Sequence, residues 1–471
     1  MRTVRPLIAG AAATAAALSV VGITATAQAQ PKPKADPPVV KGVATAVTLP
    51  TCPVGNTVTS VTPAPPGSVN LVKNGRKSKL AGVWTATGST QFTVHCSGGT
   101  TPKSTVTVTA APNLKDATGV GSDTTQNVLD QLGADFNVGK AVTATHVWSW
   151  DALNPLGGPA GDSIQVKGGG CAAIMRPNGS SAGVTALGSS QKVSGTNCVS
   201  FARSSRGRAP TDPPFAAGGI AFVAMGGDAV TWSAQATTNA PATLTQAQLG
   251  QIYNCSVPPT GGHPANDWAD LGGKAGPIHA FIPQSGSGTR AFFLGAIGVA
   301  TPGACVSSLN DTLEENQGVN PALNDPNAIF PFSTGKYIAE RFHSATCFNA
   351  ACTPNANQLR CTPSGTQNLF GCNTHGTMVL KKINGIAPTT GTGAGTVINS
   401  AFPATFQRTI FNVVPFDPNT ADHIPGATNP VGGVNLAPIF GAGGYVCTNA
   451  TAKADLKKYG FLQIPTCGLT G

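Results

Sequence analysis

Four short stretches of this chain place small, hydroxyl-bearing residues where a turn should lead into a helix. They are "GVGSDTTQ" (119–126), "RPNGSSAGV" (176–184), "FARSSRGR" (201–208) and "PQSGSGTR" (283–290). A helix N-terminus presents backbone N–H groups that have no intrahelical acceptor, and it carries partial positive charge. Glycine lets a ligand approach that backbone, and Ser or Thr adds a hydroxyl donor. Together these are the means to hold a small oxyanion. Taken one at a time, each Ser or Asp reads first as a cap on its own helix and nothing more. The recurrence favours the anion, as do Arg203, Arg206 and Arg290 within the stretches.

A second chemistry competes for the same residues. "GSSAG" (179–183) has the form G-x-S-x-G after the strand-like "CAAIM", with Ser181 in the nucleophile position. His375 or His423 would serve as base, and Asp417 or Asp325 as the orienting acid. Too little chain separates Lys115 from Ser181 for the strands such a hydrolase needs, and no HGGG-like loop is present.

Twelve cysteines raise a third possibility. Cys347, Cys352, Cys361 and Cys372, with His343 and His375 beside them, could ligate zinc, but they lack a C-x-x-C pair. Disulfides are the default in an exported chain. Sequence neighbours suggest Cys52–Cys96, Cys171–Cys198, Cys255–Cys305 and Cys447–Cys467. The clustered four are then expected as disulfides too. No cofactor and no metal is expected.

Export is read from the N-terminus. Arg2 and Arg5 precede the apolar run "PLIAGAAATAAALSVVGI", and "ATAQAQ" offers a cleavage site near Ala29. No cysteine sits beside that site, so a lipid anchor is not expected, and no later run is long and apolar enough to span a bilayer. The expected product is secreted or held at the cell envelope. The formal net charge of the full chain, +10, favours anionic partners. No basic run is interleaved with aromatics, so nucleic acid is not one of them.

The elements that would position these turns change character along the chain. After the Pro-rich linker at 30–41, residues 42–111 are rich in Thr and Val and alternate, as in "TQFTVHC" and "STVTVTA". That pattern predicts a small β-sandwich stapled by Cys52 and Cys96, with no cluster of chemical groups. From about 115 the pattern becomes strand, loop and helix. Val128, Leu132 and Phe136 recur along one helical face, and the fold class is α/β. Residues 343–400, Cys-rich and then Gly/Thr-rich, are expected as a surface insertion.

From about 118 to 300 the order of segments is specific. It runs from the Gly-x-Gly loop through "GSSAGV", "VSFARSS" and "GGIAFVAMGGDAVTW" to "LTQAQLGQIYNCSVPPTGGHPANDWADLGG" and "IHAFIPQSGSGTRAFF". This order resembles the phosphate-binding subunit of bacterial ABC transporters, a type II periplasmic-type solute-binding protein. The resemblance implies two α/β lobes joined by two crossing strands near "IAFVAMGGDAV" and "IFNVVP", with the anion between them. Lobe one would be 115–213 and 413–471, and lobe two 218–408. The family's contacts fall on Asp123 and Thr124 in the first loop, on Ser180, and on Ser287, Gly288 and Thr289. Ser181, Ser204 and Arg290 flank these positions. The family's proton-accepting Asp falls on Ser205, and its Arg and Asp before Gly-Ser-Gly-Thr fall on Pro283 and Ser285. Arg203, Arg206 and Arg290 are the candidates to restore positive charge.

The implied function is capture of inorganic phosphate or a related oxyanion by a monomer, without catalysis, for an ABC importer. The alternatives are a surface or adhesion protein built on a degenerate binding fold, and a serine hydrolase using Ser181.

Overall fold

The computed structural model describes residues 39–66, 69–141, 143–154, 161–260, 262, 264–343 and 374–471. Cys347, Cys352, Cys361 and Cys372 lie outside these residues, as do the N-terminal run and its cleavage site.

The Thr/Val-rich region forms two small sheets. Val39–Val40, Lys103–Thr109, Gly88–Cys96 and Val58–Thr62 make one; Ala44–Thr48, Lys77–Val83 and Val69–Asn74 make the other. Alternation sends Phe92, Val94, Val106 and Val108 inward, where they meet Val47, Leu80 and Trp84 in one core. Cys52 and Cys96, both buried in that core, are bonded to each other. Val39 and Val40, which the sequence assigns to the linker, pair with Val108 and Thr109 and are buried. Two β-branched residues at that point gain more from the sheet than from solvent. The second sheet also lays Ala44, Ala46, Ala81 and Val83 against Ala134 of the helix Gln126–Asn137, and Lys79 lies 3.6 Å from Asp135. The β module is thus docked onto the helix that opens the α/β region.

Among the described residues, eight strands form the central sheet of a two-lobed type II fold. One half is parallel: Val147–Ser149, Ala117–Gly121 and Phe201–Ser204. The other half holds Ala328–Ser333, His279–Ala280 and Met378–Leu380. Two long antiparallel strands join the halves, Ile220–Gln235 and Gln407–Pro415. All sixteen residues of the first are buried, as its continuous apolar run requires. Its register shifts between Ala224 and Gly226. At Gly227 a side chain would meet Leu462 Cβ at 3.3 Å, and the bare backbone there exchanges two hydrogen bonds with Leu462.

Each half carries its own apolar core. Val128, Leu132, Phe201, Phe440 and Leu456 pack on one side, and Trp232, Trp268, Phe293 and Phe406 on the other. Cys171–Cys198, Cys255–Cys305 and Cys447–Cys467 are disulfides. Two expectations need correction. No helix follows "FARSSRGR", because Pro210, Pro213 and Pro214 come next and deny a helix its donors. Within 374–400 the chain is not a surface insertion: Met378–Leu380 pairs with the crossing strand, and Met378, Ile383 and Ile398 are buried. No described helix is long and apolar enough to cross a membrane.

The Cys52–Cys96 bridge closes a 44-residue separation around the β module. Replacing both cysteines by Ser should cost about 2–4 kcal/mol, through the greater freedom of the unfolded module. Hydrogen exchange should show protection lost over residues 44–109 and kept at Phe201 and Val413. Uniform loss across the chain would mean that the module and the lobes unfold as one unit.

Candidate functional site

Three of the four hydroxyl-rich turns start helices that converge, and the fourth sends Ser205 to the same point. The strand Ala117–Gly121 ends in Ser122, Asp123 and Thr124, and the helix Gln126–Asn137 follows with no side-chain cap. Gly179, at φ 89°, turns the chain into the helix Ser180–Gly188. Ser287 caps the helix Gly288–Ala296 by accepting from Arg290 N at 3.0 Å. Small residues allow the approach. At Gly121, with φ 116°, a side chain would meet Arg203 O at 2.7 Å and Gly183 Cα at 3.2 Å. At Gly288 it would meet Ser180 Oγ at 2.3 Å and Ser205 Oγ at 2.5 Å.

The point of convergence holds an oxyanion that belongs to the protein, the carboxylate of Glu315. Glu315 is 2% exposed. Its Oε1 accepts from Thr124 Oγ1 at 3.1 Å, and from Thr124 N and Ser122 Oγ, each at 3.4 Å. Its Oε2 accepts from Thr289 N at 3.0 Å and from the Ser287 hydroxyl. One oxygen is thus served from the first lobe and the other from the second. Ser287 caps its helix and donates to the carboxylate together, since a hydroxyl has both a proton and lone pairs. The cap and the anion contact are not alternatives at this residue.

The surrounding charges fit a single buried anion. Burial alone would raise the Glu315 carboxyl. The hydrogen bonds from Asp123 and Ser287, the Arg408 charge and the Thr289 N–H outweigh it and hold the group at about 2. Asp123 goes the other way: burial first, then the Glu315 charge and hydrogen bond, push it well above the usual range, with Lys336 opposing. Two carboxyls this close and this buried do not both ionise, and the opposed directions favour the proton on Asp123. Arg408 donates through Nε and Nη2 to Asp228 at 3.0 and 2.8 Å, and through Nη2 to Thr289 Oγ1 at 3.1 Å. Its Nη1 is buried with no hydrogen-bond partner among the described residues.

Asp123, Thr124, Ser180, Ser205, Ser287, Gly288 and Thr289 all gather at this cradle. Ser180 Oγ accepts from Ser205 N at 3.0 Å, and Ser205 Oγ lies 3.2 Å from Ser122 Oγ. Six other sequence candidates do not face the cradle. Arg203 is fully buried, but its donors go to Ser122 O and Gly121 O at 3.0 Å and to Ser149 Oγ at 2.9 Å. Burial lowers its guanidinium to about 10. It is a strut that shapes the first loop. Ser204 closes its own turn on Arg206. Ser181 Oγ accepts from Arg206 Nε at 3.1 Å, and Arg206 is paired with Asp212. Ser285 binds Asp311, and Arg290 donates to Pro283 O at 2.9 Å.

The hydrolase constellation is not assembled either. Ser181 is held by a guanidinium, His375 packs at a tilt against Tyr337, and His423 stacks on Phe416.

Sequence reasoning missed Ser122, Glu315, Asn316 and Arg408. Arg408 and Asp228 had a signal, since each is a lone charge in an apolar run that reads as a buried strand, and such charges are paired. Glu315, in the unpatterned stretch "NDTLEENQG", had none.

Residues 86–433 match the PBP superfamily domain, well over half of the chain. The protein belongs to that superfamily. Among solved structures it is similar to an ABC-type phosphate transport receptor from Vibrio cholerae, at 14% identity and a TM-score of 0.41, over 74% of this chain and 100% of the other. A putative phosphate ABC transporter substrate-binding protein with bound phosphate from Clostridium perfringens gives 12% and 0.41, over 74% and 99%. A phosphate-binding protein from Stenotrophomonas maltophilia gives 13% and 0.34, over 74% and 91%. No curated protein matches the chain.

Two outcomes test this geometry. Arg203→Met strands two buried carbonyls, each costing about 1–3 kcal/mol, so denaturant unfolding should show a loss of that order or more. Unchanged stability would mean that the first loop holds its shape without the strut. Asp123 tests the placement of that proton. Its folded-state pKa is raised, so its contribution to stability is full below about 3.8 and is lost as pH rises toward the folded value. Glu315 contributes in the opposite sense, losing its share as pH falls from 4.5 toward about 2. Asp123→Asn keeps an N–H donor and removes only the Asp123 titration. Its stability relative to the parent should therefore rise from pH 4 to pH 8. A difference constant with pH would show that Asp123 is ionised in the fold.

Proposed function

We propose that this protein is an exported solute-binding protein that captures inorganic phosphate, or a closely related oxyanion, between its two lobes for an ABC importer. One observation carries the reading. Two hydroxyl-rich helix starts, one from each lobe, supply N–H and O–H donors to the two oxygens of a single buried carboxylate. Any small oxyanion at that point would meet the same donors. The order of sequence segments supports phosphate as the first solute to test, and membership of the PBP superfamily supports capture rather than catalysis. Closure would follow from contacts made to both lobes at once, and the importer would recognise the closed form.

The seated Glu315 carboxylate favours a second reading, in which the cleft is permanently sealed and the protein acts through its surface. Isothermal titration separates the two. On the first reading the mature protein binds phosphate with one site. Ser180→Ala or Thr289→Ala then weakens binding roughly ten- to a hundredfold, the worth of about 1.5–3 kcal/mol for a hydrogen bond to a charged group. A wild-type protein silent toward phosphate, sulfate and arsenate would overturn solute capture.

A further inference from the structure

The geometry points to residues Glu314–Asn316 as an internal strap that occupies the solute site with the Glu315 carboxylate and closes the cleft in the absence of solute. This rests on the oxyanion reading of the cradle.

Three consecutive side chains of the strap reach partners across the cleft. Glu314 accepts from Asn178 Nδ2 at 2.8 and 3.0 Å. Glu315 joins Ser122 and Thr124 on one side to Ser287 and Thr289 on the other. Asn316 donates to Thr124 Oγ1 at 3.1 Å and accepts from Ser333 N at 3.0 Å. A free oxyanion that closes two lobes does so by the same bridging, one set of oxygens to each lobe. Glu315 does it from a tethered position, so its local concentration far exceeds that of a dilute solute.

Occupancy is exclusive for electrostatic as well as steric reasons. Asp123 and Glu315 are two buried carboxyls, and the ionised Glu315 already places negative charge at the cradle, with Arg408 beside it. A second anion placed against an ionised Glu315 would face like charge at contact distance in a medium that screens little. Solute must therefore displace the carboxylate, and its apparent affinity is the intrinsic one reduced by the fraction of molecules with the strap withdrawn. The donors left behind, Ser122, Thr124, Ser287 and Thr289, with the Asp123 acid and Arg408 behind them, are those that a tetrahedral anion would take over.

The test compares the full mature protein with Glu315→Ala and Glu315→Asp, each titrated with inorganic phosphate. Paired spin labels, one on each lobe, report cleft width. Glu315→Ala should bind phosphate at least tenfold more tightly than the parent, and its solute-free cleft should be wider. Glu315→Asp retains a carboxylate too short to bridge and should fall between them; it carries the test if the alanine variant does not fold. Phosphate binding by Glu315→Ala alone supports the strap and overturns solute capture by the native chain. Equal or weaker binding by both variants, with a parent that binds, overturns the strap and leaves the oxyanion site standing. Silence in all three proteins overturns the oxyanion site and the strap with it.

Discussion

A carboxylate removed from water keeps its charge only if donors replace the lost hydration, and among the described residues no guanidinium or ammonium forms a salt bridge with Glu315, whose oxygens take hydroxyl and backbone donors instead. That requirement organises the centre of this protein. It accounts for two hydroxyl-rich turns facing one another, for an Asp123 carboxyl whose titration is pushed well up beside it, and for glycine at 121 and 288, where any side chain would hold the turns apart. It also accounts for the arrangement of the lobes, because donors from one half alone reach only one of the two oxygens.

The positive charge that the cradle needs is supplied indirectly. Asp228 and Arg408 are register partners on the two crossing strands, and their ion pair is buried. Asp228 also accepts from Ser333 Oγ and Gly335 N, which fixes the start of the short helix Thr334–Ile338. Arg408 reaches Thr289 with the same nitrogen that binds Asp228. A pair of this kind contributes little net stability, because both ions are desolvated. Its position suggests a different use: it ties the hinge strands, a helix start from the second lobe and the cradle into one hydrogen-bonded unit.

The β module adds a constraint of its own. Its inner core is self-contained, but Ala44, Ala46, Ala81 and Val83 cover Ala134 on the helix whose start carries Asp123 and Thr124. Small side chains on both surfaces let sheet and helix approach closely. The module thus braces the outer side of the helix that presents the first loop.

Much of this was legible in the amino-acid sequence. Alternating Thr and Val marked the β module, the buried run "IAFVAMGGDAV" marked a crossing strand, and the turn chemistry at 122–124, 179–180 and 287–289 marked the helix starts. These are local properties, set by side-chain period, by φ preference and by the donors a turn exposes. What the local pattern left undecided was which donors are already in use. Arg203 and Ser205 lie two residues apart in the same promising stretch. Burial turns the first into a strut for backbone carbonyls, and brings the second to the cradle. The occupant itself was invisible. Glu315 sits in a segment with no periodicity, and only the tertiary approach of 308–320 to the first loop makes it a ligand. Hydrogen-bond donors are assigned by proximity in space, and a sequence states which groups can donate but not which acceptor arrives.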